Sequence, residues 1–280
     1  MLIHPVVLSY HLVDRRFDFG LTWVTPRQFE RQMAWLAEAG YRTFSLTACL
    51  QPEIQLPPKA VVITFDDGYR ALMEHVLPVS QRFGFVATVF PVAEFVGEQN
   101  RWDYNLFWRR MWHLDWNELR ELLSAGWEVG SHSMRHAYLP SLSNKELYED
   151  LRCSKEILEQ NLQIPIRHLS LPFGRGNLRV LDCALQSGYE SVATLGQEFD
   201  FENEAYRRTE TAGAHHKLQL FSRRGIYLHD TLRSFRRRVE APRDSQFERL
   251  RQGAISAFSY GTVMVKALGP GLRSFDVRAR

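Results

Sequence analysis

The sequence predicts an α/β fold, in the form of a distorted (β/α) barrel that makes up a single domain. Three observations lead to this prediction. Short apolar runs alternate with longer stretches of helical periodicity along most of the 280 residues. That length suits one barrel of this kind. Polar residues also cluster where the apolar runs end, which is where such sheets carry their sites.

The predicted elements follow one another with short connections. Strands are predicted from short apolar runs at residues 5–10, 42–46, 60–65, 87–91, 127–130, 168–171 and 191–195. Helices are predicted from a helical apolar period between Thr25 and Gly40 and at residues 73–83, 117–125, 145–162 and 178–187. The repeated βα units indicate a parallel sheet covered by helices. We expect residues 1–250 to form the barrel and residues 251–280 to form a C-terminal basic helix or tail.

Composition limits the classes of function. Hydrophobic residues make up 45% of the chain and charged residues 24%, which favours a packed core over disorder. The net charge of +3 argues against a nucleic-acid partner. The three cysteines are not closely paired, so neither a disulfide framework nor a thiolate metal site is predicted.

The last third of the chain is basic and includes the adjacent Arg236, Arg237 and Arg238. One interpretation is a solvated basic face, and the other is weak attraction to an anionic membrane surface or to a polyanionic glycan. The N-terminus lacks the pattern of a secretory signal, and no apolar stretch reaches the length of a membrane span. We therefore expect a cytoplasmic protein, with peripheral contact at the inner membrane face as the alternative to full solvation.

Residues able to hold a metal follow two of the predicted strands. Asp66 and Asp67 end one strand, and His132 and His136 follow another. On a helical turn, a spacing of four places both imidazoles on one face. Two imidazoles and one carboxylate suit Zn²⁺ or a similar divalent ion that assists hydrolysis, and a second carboxylate can then take a proton from water. Separately, each pair is also compatible with satisfied histidines and a simple turn.

Two motifs carry a resemblance to a known family. Residues 64–69 (TFDDGY) and 131–136 (SHSMRH) resemble motifs of the polysaccharide deacetylases with NodB homology, carbohydrate esterase family 4. Tyr10 and His11 resemble the start of its exopolysaccharide-type branch. The resemblance covers about Pro5 to about Asp230. It implies a barrel of the NodB-homology type and a metal-dependent hydrolase. The partner it implies is an N-acetylated glycan or a lipid-linked amino sugar, from which the N-acetyl group is removed.

The resemblance also implies a role for each motif residue. The metal ligands would be Asp67, His132 and His136, with Zn²⁺ as the expected ion and Co²⁺ or Ni²⁺ as alternatives. Asp66 would be the general base.

Substrate contacts are implied at two places. Residues Pro172, Phe173 and Gly174 resemble the third motif, in which the aromatic ring lines the acetate slot and a nearby backbone N–H stabilises the oxyanion. His11 is expected to face the substrate. Trp102 and Trp108 are candidates for stacking on sugar rings.

Two positions depart from the family pattern. Ser170 stands where many members have an arginine that orients the base, and Arg175 is a candidate substitute. His229 is a candidate general acid, but the surrounding residues equally resemble the branch that lacks this histidine. Three alternatives to N-deacetylation stay open. They are removal of a formyl or other acyl group, a non-catalytic glycan-binding relative, and a scaffold at the membrane surface.

Overall fold

Seven parallel strands form a near-closed barrel in the computed structural model, which describes residues 5–15, 22–99, 111–195 and 218–241. The strands in chain order are β1 (Val6–Tyr10), β2 (Leu12–Val13), β3 (Trp23–Val24), β4 (Arg42–Thr43), β5 (Ala60–Asp67), β6 (Thr88–Pro91), β7 (Glu128–Val129), β8 (His168–Ser170), β9 (Ser191–Leu195) and β10 (Gln219–Gly225). The barrel order is β7-β6-β5-β1-β10-β9-β8. Strand β4 adds to β5, and β2 pairs with β3. The predicted barrel is therefore confirmed.

A short seam between β7 and β8 brings the two ends of the sheet together. Ser131, which follows β7, forms a parallel bridge with Leu169 of β8. Its N–H donates to the His168 carbonyl at 2.8 Å, and its carbonyl accepts from the Ser170 N–H at 2.8 Å. The central strand β5 is buried at all eight positions, as expected for a parallel strand with both faces covered.

Helices cover the outside of the barrel. In the described ranges they are α1 (Pro26–Glu38), α2 (Leu46–Leu50), α3 (Ala71–His75), α4 (Leu77–Phe83), α5 (Trp116–Ser124), α6 (Asn144–Leu162), α7 (Leu178–Gln186) and α8 (Leu232–Glu240). Capping boxes fix the starts of α1, α5 and α6, where the side chains of Thr25, Asp115 and Ser143 accept from the backbone three residues later. These caps lie in the sequence where the helical period begins.

Two predicted elements differ from the structure. The strand predicted at residues 42–46 ends at Thr43, because Ser45 caps the short helix α2 by accepting from the Ala48 N–H at 3.1 Å. The single helix predicted at residues 73–83 is two helices that meet at Val76. Pro78 explains the break, since it lacks an N–H and its ring clashes with the carbonyl four residues earlier.

The chain divides into two compact units, Met1–Glu240 and Ala241–Arg280. The core of the first unit is apolar and includes Leu8, Phe65, Val89 and Leu169, all at most 1% exposed. The predicted tail at residues 251–280 lies outside the described residues and stays a prediction. Among the described helices, no segment combines the length and the apolarity needed to cross a membrane.

Candidate active site

The polar residues singled out from the sequence meet at the carboxyl ends of the barrel strands. Asp66 and Asp67 are the last residues of β5, and His11 follows β1 directly. His132 lies three residues beyond β7. The turn Pro172–Gly174 follows β8. Because β1, β5, β6 and β7 are parallel neighbours, their ends share one mouth of the barrel.

Asp67, His132 and His136 form a group able to hold a metal ion, with their ligand atoms all within 4.8 Å of one another. The Asp67 Oδ1 lies 3.5 Å from the Nε2 atoms of both His132 and His136. Two imidazole nitrogens and one carboxylate oxygen form a donor set typical of catalytic zinc sites, which leaves positions open for water or substrate. The predicted ligands are thus brought together.

The tautomer of His132 also fits metal binding. Its Nδ1 lies 2.9 Å from the Ser170 carbonyl oxygen, which can only accept, so Nδ1 carries the proton. Burial lowers the pKa of His132, against a smaller opposing effect of Asp66, so the ring is neutral at physiological pH. The lone pair of the neutral ring is therefore on Nε2, the atom that faces Asp67.

The two histidines converge through an irregular loop, so the expected helical turn is wrong. Residues 131–136 contain no regular helix, and Ser133 and His136 have φ angles of 67° and 55°. Side chains within the loop replace the missing helical hydrogen bonds. The Ser133 N–H donates to the Ser131 hydroxyl at 3.2 Å, and the His136 N–H donates to the Ser133 hydroxyl at 3.1 Å.

Asp66 is buried beside Asp67, His132 and His136, which we call the metal-ligand group. It is bound by an arginine that was not predicted from the sequence. Arg223 of β10 donates to both carboxylate oxygens, from Nη1 to Oδ1 at 2.7 Å and from Nη2 to Oδ2 at 2.8 Å. Ser170 accepts from Arg223 at 2.7 Å and donates to Oδ1 at 2.9 Å. The guanidinium that the family pattern places at position 170 is thus supplied by Arg223 and not by Arg175.

Arg223 itself is completely buried, and its remaining donors are directed at neighbouring strands. Its Nη1 also contacts the Thr64 hydroxyl at 3.2 Å, and its Nε donates to the Thr194 carbonyl at 3.4 Å. A completely buried arginine is rare unless its charge is paired, and here the partner is Asp66. No strand is predicted at residues 219–225, so this residue was missed from the sequence.

Charge holds Asp66 in its ionised form. Burial alone would raise its pKa, but the opposite charge of Arg223, with smaller contributions from His132 and His11, holds the pKa of Asp66 well below its usual range. Asp66 is therefore a carboxylate at every pH at which the protein is expected to work.

His11 lies against the same carboxylate. Its Nε2 is 3.7 Å from the Asp66 Oδ2, and burial lowers the pKa of His11 to about 4 despite the opposing charge of Asp66. The ring is therefore neutral at pH 7. Its Nδ1 is buried and has no hydrogen-bond partner within the described residues.

The turn Pro172–Gly174 packs the Phe173 ring against His136. Phe173 has φ 60° and ψ 8°, and its ring centroid lies 4.7 Å from that of His136. Gly174 has φ 68°, and a Cβ there would lie 2.4 Å from the Leu195 side chain, so only glycine fits. The backbone of this turn thus fixes Phe173 beside the metal-ligand group.

Other predicted residues lie elsewhere or outside the described ranges. His229 is exposed after β10, with its ring stacked on Tyr227 at 5.8 Å, and its role as acid stays a prediction. Trp102 and Trp108 lie outside the described residues. The interpretation of three solvated arginines needs one correction, because Arg238 is 2% exposed and donates to Asp230 at 3.1 Å.

Comparison with known proteins gives a consistent result. A family model described as polysaccharide deacetylase matches residues 53–192. The chain is 27% identical over 191 residues to the putative polysaccharide deacetylase YxkH of Bacillus subtilis, covering 67% of this chain and 63% of that protein. It is 32% identical over 142 residues to the poly-beta-1,6-N-acetyl-D-glucosamine N-deacetylase of Escherichia coli K12, covering 48% of this chain and 21% of that protein. The chain thus spans less than two thirds of the length of both relatives.

Solved structures share the fold. The Streptococcus pyogenes deacetylase PplD in complex with acetate superposes with a TM-score of 0.68 at 18% identity, covering 86% of this chain and 100% of that chain. IcaB from Ammonifex degensii superposes with a TM-score of 0.66 at 22% identity, covering 85% of this chain and 97% of that chain. At these identities the likeness concerns the fold.

Proposed function

Because the chain belongs to the polysaccharide deacetylase family, we propose that it is a metal-dependent hydrolase that removes an N-acetyl group from an amino sugar of a glycan or glycan precursor. One observation carries the proposal. An ionised, buried carboxylate, Asp66, lies beside the metal-ligand group without being part of it. A site that only bound metal or glycan would not need this second carboxylate.

Asp67, His132 and His136 are the residues that would hold the ion. Their donor set fits Zn²⁺, with Co²⁺ and Ni²⁺ as alternatives. A divalent ion bound at this place would lower the pKa of water and polarise the acyl carbonyl.

Asp66 would accept the proton of the attacking water. Its Oδ1 accepts hydrogen bonds from Arg223 and Ser170, whereas Oδ2 accepts from Arg223 and, at 3.5 Å, from Ser9. Each oxygen accepts two hydrogen bonds, but one of those at Oδ2 is long, so Oδ2 is the more weakly bonded oxygen, and it is the one that faces His11. We assign the proton to Oδ2. The charge of Arg223 keeps Asp66 ionised and able to accept a proton, although the same charge makes Asp66 a weaker base.

The neighbouring residues suit a small acyl group and a polar sugar. The Phe173 ring would form the wall against which the acetyl methyl packs, and its backbone N–H is the proposed donor to the oxyanion. The buried Nδ1 of His11 offers an acceptor for a substrate N–H or hydroxyl. When the C–N bond breaks, the leaving amine needs a proton, for which His229 is the proposed source.

The proposal is tested by acetate release from N-acetylglucosamine oligomers, with β-1,6-linked oligomers first because a relative is named for that linkage. Asp66→Asn should keep its bound metal and lose turnover by about 10²-fold or more, the usual scale for a general base. Asp182→Asn, a change of an exposed aspartate on α7, is the matched control and should be fully active.

Two outcomes would contradict N-deacetylation, and a third would contradict only the role of Asp66. Release of formate from N-formylated sugars without release of acetate would indicate a deformylase. Glycan binding with no release from any substrate would indicate a binding protein. Near-normal turnover of Asp66→Asn would remove Asp66 from the role of base.

A further inference from the structure

Helix α6 contacts the loop that carries His132 and His136. The Met134 N–H donates to the Oδ1 of Asp150, a residue of that helix, at 2.9 Å. The Arg135 guanidinium, in the same loop, adds a favourable charge near this carboxylate. Met134 and Arg135 are the two residues flanked by Ser133 and His136, both of which have positive φ. The carboxylate therefore binds the middle of the loop that carries the ligands.

We propose that Asp150 is a positioning residue that holds the loop of residues 131–136 in the shape that directs His132 and His136 at one metal ion. This inference rests on the proposed metal site, although it does not depend on which acyl group is removed. Asp150 touches neither the ion nor the substrate, so its effect passes through the loop.

Strain in the loop explains why an anchor is needed. A residue other than glycine in the left-handed region costs about 1–3 kcal/mol and persists only where its surroundings enforce it. Two such residues flank Met134 and Arg135. Without an acceptor for the Met134 N–H, the loop would lose a contact that opposes relaxation of Ser133 and His136.

Helix α6 is a rigid base for this anchor. It has 19 residues, begins with a capping box at Ser143, and buries Leu147, Leu151 and Leu158 in the core. One turn beyond Asp150, the Ser154 hydroxyl lies 3.0 Å from the Ser131 hydroxyl. The helix therefore holds the loop at two points, one before His132 and one between the histidines.

The electrostatic surroundings of Asp150 disfavour its ionised form, as expected for a residue retained for positioning and not for fold stability. Burial raises the pKa of Asp150 to about 6, although the Met134 N–H and the charge of Arg135 oppose that effect. Arg135 is itself paired with Glu94 at 3.2 Å, and Glu94 adds to the raised pKa. A half-buried carboxylate with a raised pKa weakens the fold at neutral pH, so fold stability alone would be better served by a neutral residue.

The test compares Asp150→Ala and Asp150→Asn with Glu149→Gln, which changes the exposed neighbouring acid on the same helix. Metal affinity is measured by titration of the metal-free protein with Co²⁺ against a chelator, and the visible absorption of bound Co²⁺ reports the ligand geometry. Asp150→Ala should weaken Co²⁺ binding by about 10–100-fold, the usual effect of losing a residue that supports metal ligands. Asp150→Asn keeps one acceptor oxygen, so its loss should be smaller but at least about threefold.

Amide hydrogen exchange of the metal-free protein gives a readout that needs neither metal nor activity. Residues 131–136 should exchange faster in Asp150→Ala, while β5 and β9 should keep the protection of the wild type. Wild-type Co²⁺ affinity and absorption in Asp150→Asn, or unchanged exchange in the loop, would overturn the inference. If Asp150→Ala does not fold, the Co²⁺ affinity, absorption and loop exchange of Asp150→Asn alone decide whether the inference holds. If the Asp150 variants show these changes in Co²⁺ binding and exchange but the wild type releases no acetate, the proposed function is contradicted and the positioning role stands.

Discussion

Replacing Arg223 by methionine isolates the contribution of the buried ion pair with Asp66. Both side chains are at most 1% exposed, and two charge-assisted hydrogen bonds of 2.7 and 2.8 Å join them. Two unit charges about 4 Å apart interact by about 4 kcal/mol at an effective dielectric constant near 20. Removing one partner of a buried pair costs about 3–5 kcal/mol, because the other charge stays buried without compensation. We therefore expect Arg223→Met to lower the free energy of unfolding by about 4 kcal/mol.

The pH dependence of that loss has a definite sign. In the wild type, the folded-state pKa of Asp66 lies below the ordinary value of 3.8, so the stabilisation is present above pH 4 and is lost as the pH falls through the folded-state pKa. Burial is already the largest single effect on the pKa of Asp66, and without Arg223 it is no longer outweighed, so the pKa rises. The variant should therefore become more stable, relative to the wild type, as the pH is lowered from 7 towards 5.

The assay is urea unfolding of the metal-free protein at several pH values. Arg82→Met is the matched control, because Arg82 pairs with Glu30 at 2.7 Å on the surface and should lose at most about 1 kcal/mol. In Asp66→Asn/Arg223→Met neither charge of this pair remains, so the loss should be clearly less than the sum of the two single losses. Additive losses, or a variant whose deficit does not shrink on acidification, would refute the reasoning.

Three further predictions concern the remaining candidates. His132→Ala should lose most of the bound metal in elemental analysis, because two protein ligands rarely retain a divalent ion, and stoichiometric metal in that variant would contradict the assignment. His229→Ala should lower kcat by about 10²-fold if His229 is the acid, and an unchanged kcat would exclude that role. The exposed residues of α8 include Arg233, Arg236 and Arg237, and replacing all three by glutamine should abolish flotation with anionic vesicles at low salt. Each arginine near an anionic surface contributes about 1 kcal/mol of attraction. Absence of flotation by the wild type would leave these arginines as solvated residues.

The meeting of Asp66, Asp67, His132 and His136 in one site could be predicted because their signals are local. Asp66 and Asp67 directly follow an apolar strand, and the two histidines lie within five residues of each other. Parallel strands bring their carboxyl ends to one mouth, so the strand pattern alone implied that these residues would meet. The break at Pro78 was visible too, but the continuing apolar period favoured one long helix over two short ones.

Arg223 and the loop shape could not be predicted in the same way. Arg223 is 157 residues from Asp66, and their contact depends on the order β5-β1-β10, which the sequence pattern does not specify. The convergence of His132 and His136 depends on positive φ angles at Ser133 and His136, which sequence rules assign chiefly to glycine. In both cases the tertiary structure imposes a conformation or a pairing that local preference would not select.

The left-handed backbone at the site has a consequence for laboratory evolution. Of the five residues other than glycine with positive φ in the described ranges, Asp67, Ser133, His136 and Phe173 belong to the site, and the fifth ends helix α6. These are positions where glycine would relieve strain, so a selection for heat resistance alone would find gains there first and erode the catalytic machinery. Screens for robust variants of this protein therefore need a metal-binding readout alongside the melting temperature.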